Sequence, residues 1–148
     1  SLHEMVGSFM FTPRIALMSF SNFGTVKHPS TDKMRRTAEI LWEKHPDWEV
    51  EGEMHADVAV SYALQKTEFP DTKLSDGANC LVFPDLNSAN IAMRLMRQLG
   101  GATAVGPILT GLDMPMHVLA NDADVDSIVN IAAIAAVQKL DIEKQKRK

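Results

Sequence analysis

RIALMSFSNFGTVKHPSTDKMRRTAEI, Arg14–Ile40, contains one whole turn of the chain's organisation. Arg14–Phe20 is a short apolar run that follows Pro13, and it reads as a strand. It gives way at once to SNFGTVKHPS, which is dense in turn formers and reads as a loop. From Ser30 or Thr31 the period changes: Met34, Ala38, Leu41 and His45 fall four, three and four apart, with Arg35, Arg36, Glu39 and Glu43 between them. That spacing predicts an amphipathic helix with a Ser or Thr at its N-cap.

The same order recurs down the chain. Strands are expected at 48–54 and 78–83, with helices through 57–66 and 87–99. Further β-like runs stand at 104–109 and 116–119, and a last helix is expected over about 125–140. Alternating strands and helices predict an α/β fold, a mostly parallel sheet between two helical layers. The last helix contains SIVNIAAIAAVQ, apolar nearly all the way round, which requires burial on several sides. No repeat or low-complexity stretch interrupts the 148 residues, so one domain is expected.

Composition narrows the function. Hydrophobic residues at 45% and charged residues at 23% belong to a globular protein. A net charge of −4 leaves no basic field for phosphate backbones, so nucleic acid is not an expected partner. The cationic run EKQKRK, within 141–148, is read as a solvated tail. The lone Cys80, in ANCLVFP, excludes an internal disulfide and is expected to be a small buried hydrophobe in a reducing cytosol. No apolar run approaches the roughly 20 residues a bilayer span needs, and no signal peptide is visible, so a cytoplasmic protein with no membrane partner is expected.

In open α/β sheets, ligands sit beyond the carboxyl ends of the strands, in the loops that enter helices. SNFGTVKHPST is such a loop, able to offer backbone N–H groups to an anion, although it lacks GxxxxGK[ST] and GxGxxG. GEMHAD places Glu53, His55 and Asp57 at alternate positions, a weak metal pattern; with a helix starting near Asp57, that residue is expected to cap it while Glu53 and His55 pair locally. No GxSxG or comparable nucleophile signature occurs, His117 has no base-like partner near it in sequence, and Met93 and Met96 read as core fillers.

RIALMSFSNFGTVKHPSTDKMRRTAEI, VEGEMHADVAV, NCLVFPDLNSANIAMRL, VGPILTGLDMPMHVL and IVNIAAIAAVQ, in that order, together resemble the second half of a phosphate acetyl/butyryltransferase module over about 13–137. Within that family, SFSNFG and GEMHAD look most like the phosphotransacetylase-like domain at the C-terminus of bacterial NADP-dependent malic enzymes. The resemblance implies an isocitrate/isopropylmalate dehydrogenase-like three-layer fold. It also implies a parent that decarboxylates malate to pyruvate, with NADP and a divalent metal held in domains ahead of this one and none of either here.

Active transferases of the family carry a Ser-Arg pair directly after the leucine that matches Leu119, and an aspartate a few residues on. Here Ala120 and Asn121 replace the pair, and Ser127 aligns with the aspartate. Phosphate attack on a thioester needs the anion's charge held, and one lost charge-assisted contact typically costs a factor of about 100 to 1,000. No arginine follows Arg97 except Arg147, so no shift of alignment restores the charge. The resemblance therefore implies a domain without catalysis of its own, which binds acetyl-CoA or CoA as an effector and supports a homo-oligomer. The expected ligand residues are Ser21, Asn22 and Gly24 on one loop, Asn90 on a second, Gly106, Pro107 and Gly111 on a third, and Asn121; no metal site is expected. An active phosphate acyltransferase fragment and a purely structural dimerisation module are the alternatives.

Overall fold

The computed structural model describes residues 2–119, 121 and 123–146. Its elements are α1 (Leu2–Ser8), β1 (Arg14–Met18), α2 (Pro29–Lys44), β2 (Glu49–Met54), α3 (Ala56–Val60), α4 (Tyr62–Glu68), β3 (Cys80–Val82), α5 (Leu86–Gly100) and α6 (Val125–Lys146). The chain divides into two compact units, one formed by 13–95 and the other by 1–12 with 96–148.

The first unit is the α/β body. Its three strands are parallel, in the order β2-β1-β3, with β1 central. Ile15, Ala16, Leu17 and Met18 are all buried, as a strand covered on both faces requires. Ala16 and Met18 pack with Met54 and with Val58 and Ala59 of α3. Thr31, Met34 and Ala38 are the buried residues of α2, and the last two are among the four expected from the spacing. Cys80 is buried and free, and burial pushes its thiol up against the opposing influence of Arg14, so it behaves as the expected small hydrophobe.

Helix boundaries differ from expectation where side chains compete for caps. The N-cap of α2 is His28, whose ring accepts from Ser30 N–H while its own N–H donates to Thr31 Oγ1; Pro29 at the first helical position fixes that earlier start. The expected helix at 57–66 is two short helices, α3 and α4, because Ser61 leaves the helical conformation and caps Leu64 N–H.

The second unit pairs α1 with α6. The segments 104–109 and 116–119 are not strands. Gly106 has φ +147° and Pro107 has no N–H for a ladder, so 104–109 does not run as a regular strand, and 116–119 pairs with no strand among the described residues. In helix α6 Ile131 is buried while Val125, Ile128, Val129 and Leu140 are exposed in this chain. Helix α5 buries none of its residues in either unit.

Candidate functional site

The register between β1 and β2 pairs Leu17 with Gly52 and Met18 with Met54, leaving Glu53 as an extra residue on β2. Such a bulge re-aims a side chain. Gly52 sits at φ +136°, and a Cβ there would lie 2.7 Å from the Leu17 carbonyl oxygen, so only glycine fits this close approach. Its peptide to Glu53 is cis.

Glu53, fully buried, reaches the 21–25 loop that follows β1. Its Oε1 accepts from the Gly24 N–H (2.8 Å) and the Ser21 hydroxyl (3.0 Å), and its carbonyl accepts from the Phe23 N–H (2.8 Å). The Ser21 hydroxyl in turn accepts from Val26 N–H (3.1 Å), Thr25 Oγ1 accepts from Asn22 N–H (3.2 Å), and Asn22 carbonyl accepts from Thr25 N–H (3.1 Å). Every N–H from Asn22 to Val26 is thus taken inside the protein. The loop's N–H groups, which could have received an anion, are answered by acceptors within the protein, Glu53 Oε1 among them. Glu53 Oε2 is buried without a hydrogen-bond partner among the described residues.

Asn22 forms a second clamp. Its Oδ1 accepts from the His55 N–H (2.7 Å), and its Nδ2 lies 3.2 Å from His55 Nδ1. Glu53 and His55 therefore engage the loop some thirty residues earlier rather than each other. His55, not Asp57, occupies the N-cap of α3, and Asp57 Oδ1 accepts from the adjacent Val58 N–H (2.9 Å). Among the described residues no group of three or more His, Cys, Asp or Glu is placed to hold a metal ion.

The other glutamates of β2 do similar work. Glu49 accepts from Ser75 N–H (2.7 Å) and its hydroxyl, and Glu51 accepts from Lys73 N–H (2.9 Å). Glu51 is buried, and desolvation pushes its carboxyl up against the lowering influence of the Lys73 N–H. It borders a cavity of ≈ 410 Å³ walled by Trp42, Phe23 and Phe69; the last two rings lie 4.0 Å apart, and Lys73 Nζ stands 4.4 Å from the Trp42 ring centre.

The expected ligand residues fall in different places. Ser21 is fully buried, so it shapes the loop from beneath, while Asn22 and Gly24 lie at its half-exposed rim. Asn90, exposed on α5, accepts from Arg94 Nε one turn on (2.8 Å) and has no hydrogen bond to the 21–25 loop. Gly106, Pro107, Gly111 and Asn121 belong to the second unit. There the Gly106–Pro107 peptide is cis, Gly111 has φ +80° and borders a cavity of ≈ 210 Å³ between its loop, α1 and α6, and Asn121 is exposed in a turn. Ala120 lies outside the described residues. Ser127 sits in the first turn of α6, where its N–H donates to Asp124 Oδ1 (2.8 Å); the Ser127 hydroxyl first, and then this N–H, hold the Asp124 carboxyl low. His117 Nδ1 accepts from Leu109 N–H at 3.4 Å, and its Nε2 is buried without a hydrogen-bond partner among the described residues.

Sequence reasoning missed two groups. Glu53 was legible only as a weak metal candidate or a local partner of His55, because the bulge that turns it toward Gly24 has no local sequence signature. Arg35 reads as part of an exposed helix face, yet its Nη1 lies 3.5 Å from where a Gly24 Cβ would be; its place one turn beyond Thr31, which closes the loop by donating to Val26 O (2.9 Å), is the only hint.

This arrangement is a loop at a strand's carboxyl end, tied to its neighbour by buried polar contacts, with Arg35, itself paired with Asp32, beside Gly24. Against known families, the model of the phosphate acetyl/butaryl transferases matches residues 3–136. The chain belongs to that family. A phosphotransacetylase from Streptococcus pyogenes superposes with a TM-score of 0.85 at 36% identity, over 93% of this chain and 42% of that one. The chain is 43% identical over 130 residues to an NAD-dependent malic enzyme of Rhizobium meliloti, covering 88% of this chain and 17% of the relative. It is 41% identical over 136 residues to an NADP-dependent malic enzyme of Escherichia coli, 91% of this chain and 18% of the relative. To a phosphate acetyltransferase of Paracoccus denitrificans it is 40% identical over 126 residues, 85% of this chain and 40% of the relative. It thus spans under a fifth of these malic enzymes and about two fifths of the transferases. No helix among the described residues is long and apolar enough to cross a membrane.

Proposed function

We propose that the chain is the phosphotransacetylase-like part of an NADP-dependent malic enzyme, without transferase activity of its own, and that it binds acetyl-CoA as an allosteric effector. The observation that carries this reading is the loss of charge after Leu119: Asn121 is exposed in a turn, and the sequence offers no arginine between Arg97 and Arg147. Binding a thioester needs shape and hydrogen bonds, whereas driving phosphate into it needs the charge of the developing transition state held. A loop that keeps Asn22 and Gly24, in a chain that lacks the guanidinium, suits the first task and fails the second. Identity of 41% to the Escherichia coli malic enzyme supports the parent assignment, and with it the oxidative decarboxylation of malate in domains that hold NADP and a divalent metal.

Oligomerisation belongs to the same proposal. Val125, Ile128 and Val129, apolar and exposed near the start of α6, are side chains of the kind a second copy covers.

An active phosphate acyltransferase is the second reading, favoured by the 40% identity to the Paracoccus denitrificans enzyme. Acetyl phosphate formation from acetyl-CoA and phosphate separates the two: the proposal expects none above background, and turnover that disappears on substitution of Asn121 or Ser127 would replace it with the second reading.

A further inference from the structure

The clamp between Asn22 and His55 determines which ring nitrogen carries a proton. The His55 N–H is a donor only, so the Asn22 atom 2.7 Å from it must be the amide oxygen. The Asn22 amide nitrogen, a donor only, then faces His55 Nδ1 at 3.2 Å, and Nδ1 must accept. A neutral ring whose Nδ1 accepts carries its proton on Nε2. That Nε2 has no hydrogen bond to any described residue, yet it is not sealed from solvent, since His55 is half-buried and its Nε2 is absent from the buried atoms without partners. The ring does not serve the helix either: His55 is the N-cap of α3, but its side chain makes no capping bond. Nor does it serve a metal, for no third ligand stands near it among the described residues.

We infer that His55 presents a fixed Nε2–H donor, beyond the carboxyl end of β2, to an acceptor oxygen of a bound ligand: the thioester carbonyl of acetyl-CoA or a phosphoryl oxygen. Asn22 is its positioning residue. This rests on the reading of the site as an acyl-CoA effector site only for the choice between those two oxygens. Donation to an acceptor favours a ligand that offers one at this point over a ligand that would cover the donor without answering it. Asn22 is therefore a ligand residue at one remove.

Histidine labelled with ¹⁵N, observed through two-bond proton–nitrogen correlations, tests this on the 148-residue chain. The His55 signals are those that vanish in His55→Phe. The expected pattern is a bare Nδ1 and a protonated Nε2, with the Nε2 signal moving on titration by acetyl-CoA, by CoA or by inorganic phosphate. Movement with acetyl-CoA alone names the thioester carbonyl, and movement with all three names a phosphoryl oxygen. Asn22→Asp keeps the acceptor for His55 N–H but replaces the donor to Nδ1 with a second acceptor, so the Nδ1 proton should appear and binding should weaken about tenfold, the worth of one hydrogen bond. A merely structural Asn22 would leave the tautomer unchanged. A protonated Nδ1 in the wild-type chain overturns the inference. So does an Nε2 signal that none of the three probes moves, whether or not they bind. If phosphate moves Nε2 while calorimetry detects no acetyl-CoA binding, the inference stands and the acyl-CoA reading falls. Should Asn22→Asp fail to fold, the wild-type tautomer and titrations decide alone.

Discussion

Replacing Glu53 with alanine should destabilise the protein by about 3 kcal/mol, while glutamine at the same place should cost less than about 1 kcal/mol. The Glu53 side chain is fully buried, and its Oε1 is the acceptor for both the Gly24 N–H and the Ser21 hydroxyl. Removing it affects the two donors unequally. Ser21 keeps contacts to Thr25 and Val26, whereas Gly24 N–H has no other acceptor given to it. One orphaned donor costs roughly 1–3 kcal/mol, and the one lost methylene adds about 0.8 kcal/mol. Against this, alanine also removes Oε2, which is buried without a hydrogen-bond partner among the described residues, and that relief keeps the total near 3 kcal/mol. Glutamine retains an oxygen for Gly24 and Ser21 in the same volume. Urea denaturation followed by circular dichroism reads both variants, with the midpoint shift multiplied by the wild-type slope. A Glu53→Ala protein as stable as wild type would refute the reasoning, and so would a Glu53→Gln protein as damaged as the alanine variant, since the acceptor geometry would then not be what matters.

Other outcomes follow from the same strand. Burial raises the Glu51 carboxyl above its usual range, so the native state holds that proton over a window, upward from about pH 4.5, where the unfolded chain has lost it; Glu51 therefore weakens the fold as pH rises through that window. Glu51→Gln, which still offers an oxygen to Lys73 N–H, should gain in Tm over wild type on going from pH 4 to pH 7, and a difference that does not change with pH would contradict the assigned burial effect. Gly52→Ala must place its Cβ 2.7 Å from the Leu17 carbonyl oxygen at φ +136°, so it should cost at least about 2 kcal/mol in the same urea assay, and an unchanged midpoint would show that β1 and β2 are not so closely apposed.

How much of this was written in the chain can be judged element by element. Arg14–Met18 and Glu49–Met54 were legible because short β-rich runs bounded by turn formers leave few alternatives, and α2 because its buried Met34 and Ala38 lie on the helical period. The runs at 104–109 and 116–119 misled because apolar content is only half of what a strand needs; a ladder also needs N–H groups, which Pro107 lacks, and a partner strand, which 116–119 does not have among the described residues. His28 displaced Ser30 as the cap of α2 because Pro29 can begin a helix and histidine can accept a hydrogen bond, a combination rarer than Ser or Thr. The loop at 21–25 was found by its place after a strand, whereas its inner workings were not, since the bulge at Glu53 and the Asn22 to His55 contact join residues far apart in sequence. The changed positions Asn121 and Ser127 were visible only through resemblance to the family, because nothing in an isolated Asn or Ser records the residue it replaces.

Calorimetric titration of acetyl-CoA into the chain, with free CoA as the comparison, tests the central claim most directly. The account expects saturable binding of acetyl-CoA with no acetyl phosphate formed when phosphate is present, a site that holds the thioester without turning it over. Absence of any binding heat for acetyl-CoA, repeated with the chain joined to the rest of a malic enzyme, would contradict it.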